Sequence, residues 1–178
     1  MAHHNCPKGW FAAGSDPADF DMELVDDVSF ESKPVVRMRG VNKDCEGFGT
    51  MMQVCKSDRY RGQRLRLSAA VRSENLDGWA GLWFRVDPRQ QAPSLAFDNM
   101  QDRAIKGTTD WTRHSIVLDV AEESFHLAFG ALMSGMGSLW LAEFRLERVG
   151  LDVPSTSMKD IAHRYSELPV NLDFSETE

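Results

Sequence analysis

The 178-residue chain has no apolar run approaching the roughly 18 residues that suggest a membrane-spanning helix. Its opening MAHHNCPKGW lacks the basic and apolar stretches of a secretory leader. Both absences point to a cytoplasmic protein without membrane contact. Cysteine is scarce: Cys6, Cys45 and Cys55 include no CxxC pair, so neither a disulfide framework nor a zinc knot is implied. Basic residues are in deficit, 20 against 27 acidic, and a net charge of -7 repels phosphates, so the chain by itself is not expected to bind nucleic acid. The densest basic string, DRYRGQRLR from Asp58 to Arg66, reads as the solvated face of a strand. No HExxH, GxSxG or phosphate-loop pattern occurs, and His114, His126 and His163 are scattered, so the expectation leans away from an enzyme without settling the point. No Gly/Ser/Pro-rich linker divides the chain until near its C-terminus.

What is present is alternation. RLRLSAAVR sets Leu65, Leu67, Ala69 and Val71 against Arg64, Arg66, Ser68, Ala70 and Arg72, the pattern of a strand with one wet face. WLAEFRLERV likewise sets Trp140, Ala142, Phe144 and Leu146 against Leu141, Glu143, Arg145 and Glu147, which assigns Trp140 to the core. Further strands are expected at 10–13, 20–25, 35–39, 49–56, 80–86, 94–97, 112–119 and 124–133, separated by turn-rich strings such as ESKP, ENLDG and KGTTD. Short strands at this spacing predict an all-β sandwich over residues 8–150. Residues 151–178 read as a C-terminal tail or linker, irregular apart from one short helix over Thr156 to Leu168.

The stretch NLDGWAGLWFRVD concentrates the candidate chemistry. Alternation from Ala80 puts Ala80, Leu82, Phe84 and Val86 on the core face, and Gly81, Trp83, Arg85 and Asp87 on the other. An aromatic plate with a guanidinium and a carboxylate suits a ring-shaped polar ligand. The competing reading packs Trp83 under a neighbouring loop and pairs Arg85 and Asp87 with residues on neighbouring strands. FDNMQDR, from Phe97 to Arg103, brings Asp98, Asn99 and Arg103 to a rim, either as hydrogen-bonding or calcium ligands or as turn-stabilising side chains. Gln53 joins them as a candidate from a neighbouring strand. The acidic group Asp16, Asp19, Asp21, Asp26 and Asp27 has no EF-hand spacing and serves equally as solubilising charge.

The strings GFGTMMQ, YRGQRLRLSAAVRSENLDGWAGLWFRVD, FDNMQDR, IKGTTDW and LAFGALMSGMGSLWLAEFRLE, in that order, resemble a bacterial family of galactose-binding-like β-sandwiches. These are built like carbohydrate-binding modules and occur alone or beside helix-turn-helix transcription regulators and peptidases. The resemblance runs from Gly9 to about Val149. It implies a jelly roll of two antiparallel sheets, with ligands on the concave face or loop rim, and a structural calcium as the one cofactor. PVNLDFSE, Pro169 to Glu176, looks like the lead-in to such a sandwich. The leading functional expectation is a non-catalytic module binding a small molecule or carbohydrate through Gln53, Trp83, Arg85, Asp87, Asp98, Asn99 and Arg103. Beside it stand a regulatory module that engages a protein partner or a second copy of itself, and a small enzyme.

Overall fold

A computed structural model describes residues 2–158. The part of the expected Thr156–Leu168 helix beyond Met158 and the PVNLDFSE string fall outside the described residues. Ten strands are present among them: β1 (His4–Asn5), β2 (Phe11–Gly14), β3 (Phe20–Phe30), β4 (Lys33–Gly40), β5 (Phe48–Lys56), β6 (Gln63–Pro88), β7 (Ala96–Asp98), β8 (Ile105–Val120), β9 (Ser124–Ser134) and β10 (Ser138–Val149). No described helix is long and apolar enough to cross a membrane.

β6 organises the fold. Its first half pairs with β10 and β8, continuing through β4 and β3 to β1. Its second half pairs with β9 and β7, continuing through β5 to β2. One strand therefore belongs to both layers of a jelly-roll sandwich. The expected ENLDG turn is no chain reversal: the ladder to β8 steps out of register between Val71 and Ala80, Asn75 takes a positive φ of 52°, and the strand bends from one sheet into the other. A true hairpin turn does occur at Glu31 and Ser32, both at positive φ, between β3 and β4.

The core lies between the layers, where Leu65, Leu67, Ala69 and Val71 of β6 meet Ile116 and Leu118 of β8, Leu127, Phe129 and Met133 of β9, and Leu139 and Leu141 of β10. Ala80, Leu82, Phe84 and Val86 extend the same surface with no exposure. Two expectations need correction. Ser68 and Ala70, assigned to a wet face, are buried beside a second apolar cluster outside the first sheet, formed with Val35, Trp140, Ala142, Phe30 and Trp111. In β10 the alternation changes phase: the ladder to β6 shifts between Ala142 and Arg145, and Glu143 sits at φ 53°. This bulge leaves Trp140 and Ala142 on the outer cluster and turns Phe144 and Leu146 toward the core with Leu141. Trp140 is buried, but beneath Arg72 on the outside of the sheet, 4.9 Å from the guanidinium.

The bulge residue is pinned by charge. The Glu143 carboxylate accepts from Lys33, Arg113 and Arg145. The hydrogen bond from Lys33 and then that from Arg145 hold its pKa well below the ordinary 4.5, at about 2. A carboxylate whose pKa falls on folding stabilises the native state above its unfolded pKa and loses that contribution as pH drops from about 4.5 to about 2. Glu143→Gln should accordingly flatten the acid side of a curve of Tm against pH in this window. An unchanged acid limb would show that the cluster does not act on stability.

Three arginines of the basic string 58–66 are engaged in internal pairing. Arg61 pairs with Asp58, Arg64 with Asp119 and Arg66 with Glu147. Between Gly150 and Thr156 the chain stays on the sandwich. Arg64 donates to the carbonyls of Leu151 and Val153, and Thr156 exchanges hydrogen bonds with the backbone of Val117 on β8.

Candidate ligand-binding cleft

The outer face of the second sheet carries a different kind of surface. Strand register places residues side by side across it: Trp79 beside Ser134 and then Phe48; Trp83 beside Gly130, Met52 and Phe11; Arg85 between Phe97 and Ala128. Every one of these side chains points away from the core, because partners in a ladder share a face. On this face lies a hollow of about 620 Å³ with Trp83 on its floor and Trp79, Arg85, Phe97 and Asn99 around it.

Trp83 crosses β9 to reach β5. Gly130 stands directly opposite it, and the missing side chain there makes room for the indole. A Cβ on Gly130 would sit 2.1 Å from the carbonyl oxygen of Met51, so this position accepts nothing larger. Across the gap the indole Nε1 donates to Thr50 Oγ1 at 2.7 Å, and Thr50 Oγ1 donates to Ala131 O at 2.7 Å. Trp83 is only 7% exposed, covered by Leu132, Ala128, Met52, Trp79 and Phe97. It is a fixed floor. Trp79 and Phe97, half-buried above it, are the rings with faces left to offer.

Arg85 stands on the border, its charged group 6.0 Å from the Trp83 ring. Its Nε donates to both Asp87 oxygens, at 2.8 and 3.0 Å, which fixes the guanidinium plane while leaving the two terminal nitrogens without a hydrogen-bond acceptor among the described residues. Asn99 accepts from Gln101 N through Oδ1, so its amide nitrogen remains to donate. Arg85, Asn99 and the Trp83 floor were legible as candidates, and the fold brings them together.

The other candidates stand elsewhere. Asp98 is fully buried, and its carboxylate accepts from Met100 N at 2.8 Å and from Arg103 Nη2 at 2.6 Å, so it holds the turn instead of facing solvent. Arg103 is committed to Asp98 and Asp102 and does not border the hollow. Asp87 reaches the cleft only through Arg85, and both border a smaller adjoining hollow. Gln53 faces the other side of its strand, with Nε2 donating to Gly9 O. Sequence reasoning left Trp79 open as rim or packing and passed over Phe97, Thr50 and Met52, although period-two alternation of TMMQVCK carries the signal for Thr50 and Met52. In the acidic group Asp21 is bound by Arg39 and the His3 amide. Burial pushes its carboxyl up, but these donors outweigh it and hold the pKa low. Among the described residues no three His, Cys, Asp or Glu side chains are arranged to hold a metal ion.

Two layers sharing one long strand, with a groove on an outer sheet face, define a β-sandwich with the fold of carbohydrate-binding modules. Solved structures of this fold include the CBM22-1 xylan-binding domain from Paenibacillus barcinonensis Xyn10C, at 12% identity and a TM-score of 0.55 over 82% of this chain and 88% of that one. Bacteriophage CBA120 tailspike protein 4 shares it at 13% identity and a TM-score of 0.58, over 80% of this chain and 20% of the tailspike chain. In sequence the chain is similar to an uncharacterized HTH-type transcriptional regulator, YbfP of Bacillus subtilis (strain 168), at 40% identity over 170 residues. That match takes in 95% of this chain and 57% of the regulator, so the chain spans little more than half the length of this relative. No family model matches.

Proposed function

We propose that the chain is a saccharide-binding module and that the cleft of Trp79, Trp83, Arg85, Phe97 and Asn99 is its site. The observation that carries this is an aromatic floor built outside the core and edged by polar groups whose orientation the fold has already set. A pyranose ring offers a flat face of C–H bonds and a rim of hydroxyls, so it needs a ring to lie on and donors at the edge. Trp79 and Phe97 supply the rings, while Arg85 and Asn99 supply the donors. Because Asp87 and Gln101 hold those donors in place, little side-chain entropy is lost on binding. The solved structures of the same fold include a xylan-binding domain, which supports the class of ligand and leaves the particular sugar to experiment.

Similarity to a helix-turn-helix regulator favours a second layer to this reading, in which the module is the sensing part of a regulator and the cleft takes its effector. The two are compatible, since a sensor must first bind.

Titration against a panel of soluble oligosaccharides, followed by tryptophan fluorescence and calorimetry, tests the site. Trp79→Ala is expected to weaken binding by about tenfold or more, equivalent to at least ~1.4 kcal/mol, while Tm moves by only a few degrees. Arg85→Ala should do the same through lost hydrogen bonds. Full affinity in both variants would place the ligand elsewhere.

A further inference from the structure

β6 closes one side of the sandwich by belonging to both sheets. On the other side β1 lies on β3 and β2 on β5, so residues 6–10 form a strap across the gap between the layers. Few atoms secure it: Trp10 N donates to Pro7 O at 2.9 Å, and Gln53 Nε2 donates to Gly9 O at 3.2 Å. The Trp10 ring packs 4.8 Å from Phe144 and 5.8 Å from Phe129. Beside the strap a hollow of about 440 Å³ runs in between the sheets. Its inner wall is core, including Val36, Met51, Leu67 and Leu141, and its outer wall includes Leu24, which is 40% exposed.

We propose that this hollow is a second ligand site, separate from the cleft, for a small ring-bearing apolar molecule that carries an anionic group. Protein interiors leave few voids larger than a water molecule, and a recess of this size falls within the range of ligand pockets. Its origin is built into the backbone, since the bulge at Glu143 breaks the β10–β6 ladder along its wall. The walls suit a flat apolar ring. Trp10, Phe129 and Phe144 already meet at steep angles, the arrangement in which a further ring finds edges and faces, and Met51 adds an adaptable thioether.

The border supplies the charge. Glu143 and Arg145 line the hollow; Lys33 and Arg113 join Arg145 on the Glu143 carboxylate, while Glu147 and Glu31 also act on Arg145. With the Glu143 carboxylate already neutralised by its three cations, Arg145 is the cation on the lining, and its guanidinium favours an anionic substituent over a cationic one. This site and the saccharide cleft share no lining residue, so neither proposal depends on the other.

The test uses the full chain and two fluorescent probes, the anion 1-anilinonaphthalene-8-sulfonate and the uncharged N-phenyl-1-naphthylamine. The sulfonate is expected to saturate at one site per chain. Leu24→Trp, which fills the recess from its exposed wall, should weaken it by about tenfold or more, and Trp79→Ala should leave it unchanged. Arg145→Ala should weaken the sulfonate and spare the neutral amine. Should Leu24→Trp fail to fold, energy transfer from tryptophan to the bound sulfonate gives a second readout, dropping in Trp10→Phe and not in Trp79→Phe. Absent or non-saturating binding overturns the proposal, as does sulfonate binding that Trp79→Ala abolishes. Equal loss of both probes in Arg145→Ala overturns the anionic part.

Discussion

Trp83→Ala is expected to lower the unfolding free energy by about 3 kcal/mol, near the bottom of the range for deleting a large aromatic side chain, and to abolish binding in the cleft. The low end applies because the indole sits on the outside of a sheet, under a partial cover of Leu132, Met52, Trp79 and Phe97, and not between the layers. Removing it strands the Thr50 hydroxyl less than it first suggests, since Thr50 still donates to Ala131 O. The greater loss is the floor on which Trp79 and Phe97 rest. Trp83→Phe should restore the floor while omitting the Nε1 donation to Thr50, costing about 1 kcal/mol and keeping most of the affinity. Chemical denaturation beside the oligosaccharide titration separates the two effects. An alanine variant of undiminished stability would mean that the indole is not packed as described.

Asp98→Ala should cost about as much, roughly 3 kcal/mol, through a different mechanism. The substitution leaves the amide of the buried Met100 without its acceptor and takes from Arg103 its buried partner. Arg103 is about a third exposed and keeps Asp102, which sets the estimate at the lower end of what breaking a buried pair costs. For a domain of this size the melting temperature should fall by roughly 6 to 12 °C. Affinity should fall with it. Met100 holds a left-handed φ of 60°, and the segment lies so close over β6 that a Cβ on Gly81 would meet Asn99 O at 2.9 Å. Asp98 thus sets where Asn99 stands at the cleft. Asp98→Asn, which retains an acceptor for Met100 N, should recover part of both losses. A drop of under 1 kcal/mol in Asp98→Ala, measured by urea unfolding, would show that the turn holds without its carboxylate.

These residues also show how far the chain could be read before its fold was seen. The alternation of Ala80, Leu82, Phe84 and Val86 leaves Trp83 and Arg85 on the opposite face under any topology, because successive side chains on a strand point to opposite sides. The same rule found Leu65, Leu67, Ala69 and Val71. It failed at Glu143, where one bulge reversed the phase and sent Trp140 outward and Phe144 inward, since a bulge is set by the pairing of β10 with β6 and leaves little trace in either string. For Asp98 the composition of FDNMQDR left two readings open, a ligand contact at the rim or a turn-stabilising side chain. Short polar residues in FDNMQDR serve a turn or a ligand with the same composition, and only the packed position of Arg103 shows which of them is consumed internally.

The sequence by itself determined that this is an all-β sandwich, which residues form most of its interior, and that one tryptophan in GLWFRV has to lie outside it. Periodicity and turn chemistry suffice for that, because they act between near neighbours in the chain. Which outer face became a cleft was decided only by tertiary structure. Glycine had to stand opposite Trp83 on β9, Thr50 had to arrive on β5 to take its N–H, and Phe97 had to pair with Arg85 on β7. Those meetings join residues 12, 33 and 47 positions apart, and register between strands is fixed by burial of the whole core at once.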